Sequence, residues 1–192
     1  MRRIMQASVV MLLLASCASN STPPRNIDNA CSILAERPDY ARALQASERK
    51  WGVPMHLQMA TIYQESSFRG DARPPRRYLL GFIPRGRAST SYGYAQALDG
   101  TWEEYQEKEG GRWARRDHIA DAADFIGWTM TQTNRSLGIS KHDAVNQYLA
   151  YHEGRTGYRR GTYRNKAWLM NVARRVETRA ARYQGQLSTC QR

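Results

Sequence analysis

The sequence predicts a mainly α protein with a single folded domain. Apolar residues recur every three to four positions through most of the chain after residue 37, and glycines or prolines separate these stretches. Once an N-terminal leader is set aside, roughly 160 residues remain, which is enough for one hydrophobic core. The sequence shows no second domain boundary and no internal repeat.

The first residues are typical of an exported lipoprotein. Arg2 and Arg3 precede an apolar run over residues 4–14, which is short for a membrane span and indicates a signal peptide. The run ends in Leu-Ala-Ser-Cys, residues 14–17, which resembles the bacterial lipobox. We therefore expect a lipoprotein signal peptide over residues 1–16, lipid on Cys17, and a flexible tether over residues 17–30. An ordinary cleavage site with a chance cysteine is the alternative.

The residue after the lipobox bears on the location of the protein. Ala18 follows Cys17, where an aspartate would be similar to an inner-membrane retention signal. The expected location is therefore the periplasmic side of the outer membrane, held by lipid, rather than the inner membrane. With Cys17 lipidated, Cys31 and Cys190 remain as a pair that an oxidising compartment could join, and two free thiols are the alternative.

The chain is strongly basic, with a net charge of +12. A basic surface favours polyanions. For an exported protein these are wall carboxylates, wall polymers and lipid headgroups, and we expect no nucleic-acid partner because no recognition motif is present. No cofactor or metal is expected either, since four histidines show no paired ligand spacing: His56, His118, His142 and His152.

The first two predicted helices lie at the start of the domain, which we place at residues 31–192. One runs from Pro38 to Lys50 and is interrupted by Gly52. The next starts at Val53-Pro54, with proline where its missing N–H matters least, and ends near Ser66 or Ser67. Its apolar face carries residues at helical spacing, which are Met55, Met59 and Ile62.

The segment from Gly70 to Ser91 is a long loop rich in proline, glycine and arginine. Its five arginines are Arg73, Arg76, Arg77, Arg85 and Arg87. Its apolar patch, residues 78–83, is consistent with a short β-hairpin. Two interpretations stay open: a basic wall of a cleft that selects substrate or partner, or a solvated insertion.

Four helices are predicted after this loop. The first is polar, begins at Gly100-Thr101 and stops at Gly110-Gly111; the second is capped by Asp117 and runs to about Asn134. The third follows Ser140, contains Tyr148 and is broken by Gly154 and Gly157. The last helix extends from about Tyr163 to Tyr183.

Glu65 is the strongest candidate for chemistry. It lies three residues after Ile62, so it continues the buried side of its helix. Desolvation and the negative end of the helix dipole should both raise its pKa, which suits a general acid for a glycosidic oxygen. Without further context, a glutamate at the end of a helix is more often an ordinary surface residue than a catalytic one.

Three short motifs follow one another in order and change this judgement. They are Glu-Ser-Ser-Phe at residues 65–68, Gly-Tyr-Ala-Gln at 93–96 with Thr101 five residues after the glutamine, and Ala-Tyr-His-Glu-Gly at 150–154. Together they resemble the motifs of the soluble lytic transglycosylases over about residues 50–175. This resemblance implies a lysozyme-like α fold and peptidoglycan glycan strands as substrate.

The resemblance assigns roles position by position. Glu65 matches the catalytic acid and base, and Ser66 would help to orient its carboxyl. Gln96 matches a glutamine at the cleft, and Tyr151 a tyrosine that contacts the sugar or steadies the glutamate. Gly93 would let backbone come close to the ligand, although a turn glycine is equally consistent. Tyr151 could equally be a core tyrosine.

The sequence departs from this family's motifs at two places in the cleft. Tyr94-Ala95 stands where leucine-methionine is usual, which alters the packing of the cleft rather than its chemistry. His152 stands where asparagine is usual, which puts its sugar contact in doubt and could add pH dependence.

The family mechanism that the resemblance implies uses one carboxylate, whereas most glycosidases use two. Glu65 would protonate the oxygen between N-acetylmuramic acid and N-acetylglucosamine and then activate the muramic 6-hydroxyl, which gives a 1,6-anhydro end. A goose-type muramidase with water as acceptor and a non-catalytic wall-binding lipoprotein are the alternatives. The candidates for a second carboxylate are Asp71, Asp99, Glu103 and Glu153.

Overall fold

A computed structural model describes residues 22–190 of the chain. Within these residues the elements are α1 (Ala30–Glu36), α2 (Pro38–Trp51), α3 (Met55–Ser66), β1 (Arg76–Leu79), β2 (Ile83–Arg87), α4 (Asp99–Tyr105), α5 (Ile119–Leu137), α6 (Ala144–Arg159) and α7 (Ala167–Cys190). The predicted mainly α class with a short hairpin is confirmed, and the arrangement is consistent with a lysozyme-like single domain. The predicted signal peptide, residues 1–16, and Cys17 lie outside the described residues.

Helix α3 runs through the centre of the fold. It packs on α2, α5 and α7, and its buried residues are not confined to one face. The polar side chains of Gln58 and Thr61 are fully buried, and each donates a hydrogen bond to backbone, Gln58 to Val53 at 2.8 Å and Thr61 to Leu57 at 3.0 Å. The central position places the C-terminal end of α3, with Glu65, among the other helices.

Helices α5 and α6 supply the walls beside this end of α3. Phe125 and Trp128 on α5 pack with Trp102 and Tyr105 of α4 in an aromatic cluster with ring centroids 5.0 to 6.2 Å apart. Tyr151 of α6 packs edge-on against Phe125 at 6.4 Å. The cluster therefore holds α4, α5 and α6 together on one side of Glu65.

The two ends of the described chain are covalently joined. Cys31 and Cys190 form a disulfide, which confirms that predicted pairing. Around it, Ala30 donates its backbone N–H to Gln186 and Arg179 pairs with Asp28. The two cysteines are 159 positions apart in the sequence, and closing so long a loop restricts the unfolded chain by up to roughly 5 kcal/mol in the chain-entropy model.

The structure corrects several details of the predicted helices. The predicted cap at Asp117 is wrong: α5 starts after His118, and the Asp117 carboxylate accepts hydrogen bonds from Arg115 and Tyr92 instead. Gly154 breaks α6 with φ of 71°, whereas Gly157 is helical. Helix α1, which has seven residues and is capped by the Asn29 side chain, is not among the predicted helices.

The Arg/Pro/Gly-rich loop contains the predicted hairpin, formed by antiparallel pairing of β1 with β2. Every residue from Pro75 to Thr90 is exposed. The hairpin therefore contributes nothing to the core. None of the helices within residues 22–190 is both long and apolar enough to cross a bilayer.

Candidate active site

A cavity of about 590 Å³ opens where α3 ends. Its lining comes from Glu65 of α3, from segment 91–98, and from residues of α4, α5 and α6. The break at Gly154 turns the chain so that residues 150–156 all line the cavity. A concave site lined by apolar and aromatic residues together with a few polar groups is the usual form of a small-molecule site.

The Glu65 carboxyl sits in this cavity, half-buried, with a tyrosine as its partner. Tyr148 of α6 donates its hydroxyl to Glu65 Oε1 at 2.8 Å. Burial raises the pKa of the Glu65 carboxyl to about 7, even though the Tyr148 hydrogen bond favours the ionised form and opposes this rise. At neutral pH the group is thus divided between its acid and base forms, which is the state a general acid and base requires.

Tyr151 links the cavity to the segment that precedes α4. Its ring stacks on Tyr148 with centroids 6.5 Å apart, and its hydroxyl donates to the backbone carbonyl of Ala95. Burial raises the pKa of Tyr151 well above its usual value, so the hydroxyl remains a donor. Tyr151 thus lines the cavity, and its hydroxyl holds the segment around Ala95 against α6.

Gln96 lines the same wall, but its side chain is committed largely to the protein. Its amide nitrogen donates to the carbonyls of Ala72 at 2.9 Å and Gly93 at 2.8 Å. Its amide oxygen accepts a hydrogen bond from Ser91 at 3.0 Å. A carbonyl oxygen has two lone pairs, so one acceptor position of Gln96 is left for a ligand.

Gly93 and Tyr94 are placed behind this wall and not among the residues that line the cavity. A Cβ on Gly93 would lie 2.0 Å from the Arg116 carbonyl oxygen, and its φ is +81°, so backbone contact rather than a ligand requires glycine here. The Tyr94 ring is buried, and its hydroxyl shares a hydrogen bond with that of Tyr40 at 2.9 Å.

Ser66 and His152 also differ from the roles that the resemblance implies. The buried Ser66 hydroxyl donates to the Ile62 carbonyl at 3.1 Å, so its hydrogen is not directed at Glu65. His152 does line the cavity; its Nδ1 lies 3.0 Å from Glu153 Oε1 and its ring packs edge-on against Trp168. Trp168 is 56 % exposed, which leaves an aromatic surface beside the cavity.

Two other carboxylates line the cavity, and both pair with cations. Burial alone would raise the pKa of Glu153, but hydrogen bonds from Lys166, Thr162 and His152 outweigh it and lower the pKa to about 2. Lys166 Nζ reaches both carboxylate oxygens, at 2.8 and 2.9 Å. Glu153 is thus ionised and its oxygens are occupied.

Glu104 is the second of these carboxylates. It accepts from Lys108 at 2.8 Å and lies 3.5 Å from Arg155, and the Lys108 hydrogen bond chiefly lowers its pKa. Glu104 and Arg155 also line an adjoining cavity of about 330 Å³. The remaining second-carboxylate candidates, Asp71, Asp99 and Glu103, are not among the lining residues of the 590 Å³ cavity.

Sequence reasoning missed Tyr148, Glu104 and Thr129 as residues of the site. The sequence places Tyr148 within a predicted helix without a role in the site, although its position three residues before Tyr151 puts both tyrosines on one side of α6. Thr129 of α5 lines the cavity, and its buried hydroxyl has no hydrogen-bond partner among the described residues. A buried hydroxyl of this kind is suited to a water or a ligand.

Comparison with known proteins identifies a family. A family model described as the transglycosylase SLT domain matches residues 5–190. No curated protein matches the chain.

The elevated pKa of Glu65 predicts a stability effect of its removal. The folded pKa of about 7 lies above the ordinary 4.5, so folding favours the protonated form. This contribution is complete below pH 4.5 and is lost as the pH rises through 7, where wild type must ionise a buried group. Glu65→Gln should therefore be more stable than wild type above pH 7, by up to about 3 kcal/mol.

Urea denaturation at pH 4.5 and pH 8 measures this difference. Glu103→Gln, at an exposed position of α4, is the matched control and should change stability by less than about 0.5 kcal/mol at both values. Equal effects of Glu65→Gln at the two pH values would show that the Glu65 carboxyl is not desolvated by folding.

Proposed function

Because the chain belongs to the transglycosylase SLT domain family, we propose that it is a peptidoglycan lytic transglycosylase whose acid and base is Glu65. The observation that carries this proposal is the difference among the three cavity carboxyls. Glu153 and Glu104 are paired with Lys166, Lys108 and Arg155, whereas the partner of Glu65 is a tyrosine hydroxyl. One carboxyl is free to exchange a proton near neutral pH, and two are held as anions.

The reaction starts with Glu65 in its protonated form. Its proton passes to the glycosidic oxygen between N-acetylmuramic acid and N-acetylglucosamine, and the bond from that oxygen to C1 of the muramic residue breaks. The acetamide oxygen of the same residue stabilises the positive charge at C1. The substrate thus supplies the group that a second carboxylate supplies in most glycosidases.

The second half returns the proton. Ionised Glu65 takes the hydrogen of the muramic 6-hydroxyl, whose oxygen then bonds to C1 and closes the 1,6-anhydro ring. No water is consumed and Glu65 is protonated again. A pKa of about 7 suits both halves, since neither the acid nor the base form is strongly disfavoured at neutral pH.

The proposed substrate contacts are groups in or beside the cavity that have a free hydrogen-bonding position or an accessible ring. The free acceptor position on Gln96 suits a sugar hydroxyl or amide, and the ring of Tyr151 offers an apolar face. His152 and the exposed Trp168 beside it form an aromatic edge of the kind on which sugar rings pack.

Product analysis of digested peptidoglycan tests the proposal directly. Wild type should release muropeptides with 1,6-anhydro ends, seen by mass spectrometry as products one water lighter than hydrolysis products. Glu65→Gln should lower the rate by at least about 100-fold, because it removes the proton donor and acceptor. The folded state of this variant is checked by the denaturation experiment above.

Two results would contradict this proposal in different ways. Reducing ends in place of anhydro ends would identify a muramidase of the goose type with water as acceptor. Binding to sacculi without release of fragments, unchanged in Glu65→Gln, would identify a non-catalytic wall-binding protein.

The Tyr148 hydrogen bond predicts the position of the alkaline limb in the pH profile. Because this bond favours ionised Glu65, its removal in Tyr148→Phe should raise the pKa of Glu65. The fall of kcat/KM at high pH should then move upward by about one pH unit, since a hydrogen bond to a charged group contributes about 1.5–3 kcal/mol. Tyr40→Phe, which removes a buried hydroxyl that bonds Tyr94 away from the cavity, should leave the limb in place. An unchanged limb in Tyr148→Phe would mean that Tyr148 has only a packing role.

We further propose that Cys17 carries lipid and holds the protein at the periplasmic face of the outer membrane. The support is the leader of residues 1–16 and its Leu-Ala-Ser-Cys ending. Cells grown with a labelled fatty acid should incorporate the label into the wild-type chain and not into Cys17→Ala. Label retained in Cys17→Ala would exclude lipid on this cysteine, and recovery of the labelled chain with inner-membrane fractions would exclude the proposed location.

A further inference from the structure

The hairpin β1–β2 presents an apolar tip to solvent. Leu80 is 76 % exposed and Phe82 is 72 % exposed, and their neighbours Tyr78, Leu79 and Ile83 are each at least 44 % exposed. Leu80 has a positive φ of 53°, a conformation that turns usually reserve for glycine or asparagine. A bulky apolar residue thus occupies the turn of the hairpin. The side chains of residues 78–83 add nothing to the core. An exposed apolar cluster of this size indicates a binding surface.

The charge around this tip has one sign. Five exposed arginines lie in or beside the hairpin, at Arg73, Arg76, Arg77, Arg85 and Arg87, and no acidic residue occurs from Ala72 to Leu98. Positive charge around an apolar tip suits a partner that is anionic at its surface and apolar below it.

We propose that the hairpin inserts its apolar tip into the surface of an anionic bilayer, with the arginines at the level of the lipid headgroups. A bilayer supplies both the negative charge and the apolar interior. Glycan strands supply charge without an apolar phase. A second copy of the hairpin would place five arginines near five others, and the like charges would repel.

This contact is separate from the proposed enzymatic function. No hairpin residue is among those that line the 590 Å³ cavity; the Gly70–Ser91 segment contributes only Ser91 to it. Of the two interpretations open for this segment, a basic cleft wall is therefore the less consistent with the structure. The hairpin acts instead as a second membrane contact, in addition to the proposed lipid on Cys17.

A fluorophore at the tip tests this insertion in the full chain. Leu80→Cys, made together with Cys17→Ser to remove the lipidation site, is labelled under non-reducing conditions with a polarity-sensitive dye. The matched control carries the dye at Gln184→Cys, an exposed position on α7. Both proteins contain the same leader, so any insertion of the leader affects them equally.

The expected result is specific to one position and one lipid. On vesicles of phosphatidylcholine with phosphatidylglycerol, the emission of the residue 80 dye should shift to the blue and be quenched by doxyl-labelled lipid. The residue 184 dye should not respond, and neither dye should respond to phosphatidylcholine alone. Equal responses at both positions, equal responses to both vesicle types, or no response at residue 80 would overturn the proposal. A response at residue 80 to sacculi alone, to increasing protein concentration without vesicles, or to an acidic protein surface rather than lipid would also overturn it.

Vesicle sedimentation separates the apolar and ionic contributions. Leu80→Ser with Phe82→Ser should reduce binding to the anionic vesicles at least about tenfold. Trp113→Ser is the matched control, because Trp113 is a 79 % exposed aromatic beside Arg112 and outside the hairpin, and it should bind as wild type does. Arg76→Gln, Arg77→Gln and Arg85→Gln together should remove the preference for anionic lipid. Cleavage of soluble peptidoglycan fragments should persist in the Leu80 and Phe82 variant, so loss of membrane binding is distinguishable from loss of enzyme function.

Discussion

The structure depends on one constraint, which is an ionisable carboxyl held at the end of the central helix. Helix α3 is buried along most of its length, with eight of its twelve residues buried, so little of its surface contacts bulk solvent. The carboxyl therefore faces a cavity, and its partner is the Tyr148 hydroxyl, a neutral group that stabilises the charged form without fixing it. A lysine at that position would hold the pKa of Glu65 low, as Lys166 does for Glu153. A neutral partner and desolvation together keep the proton exchangeable.

The cavity wall formed by segment 91–98 contains residues that the family resemblance identifies as substrate contacts. Gln96 joins Ala72, Gly93 and Ser91, and Tyr151 fixes the carbonyl of Ala95. The polar atoms of these residues are therefore used mainly to hold segment 91–98 against α6. Gly93 belongs to the same arrangement, since the Arg116 carbonyl lies where its Cβ would be. The residues 93–96 therefore serve mainly to shape the site. For direct contact with a ligand they leave one acceptor position, on Gln96.

The limits of sequence reasoning follow from the range of the interactions. Glycine, proline and apolar spacing act locally, and they predicted the helix that ends at Ser66 and the hairpin at residues 78–83. The pairing of Tyr148 with Glu65 joins residues 83 positions apart, and periodicity does not indicate which hydroxyl meets which carboxyl. The same holds for Asp117: as a residue before a helix it is a plausible cap, but Arg115 and Tyr92 bind its carboxylate. Seven-residue α1 is too short for a periodic pattern to identify.

The basic residues of the chain lie in two different settings, at the cavity and on the hairpin. In the cavity the cations are neutralised, because Lys166, Lys108 and Arg155 pair with the two carboxylates there. A strong positive field in the cavity would favour ionised Glu65 and remove the acid that starts the reaction, so this pairing protects the pKa of Glu65. Five further exposed arginines lie in or beside the hairpin, whose residues lie outside the cavity lining. Attraction to a polyanionic surface and proton transfer in the cavity can then be set independently, although both draw on the same excess of arginine.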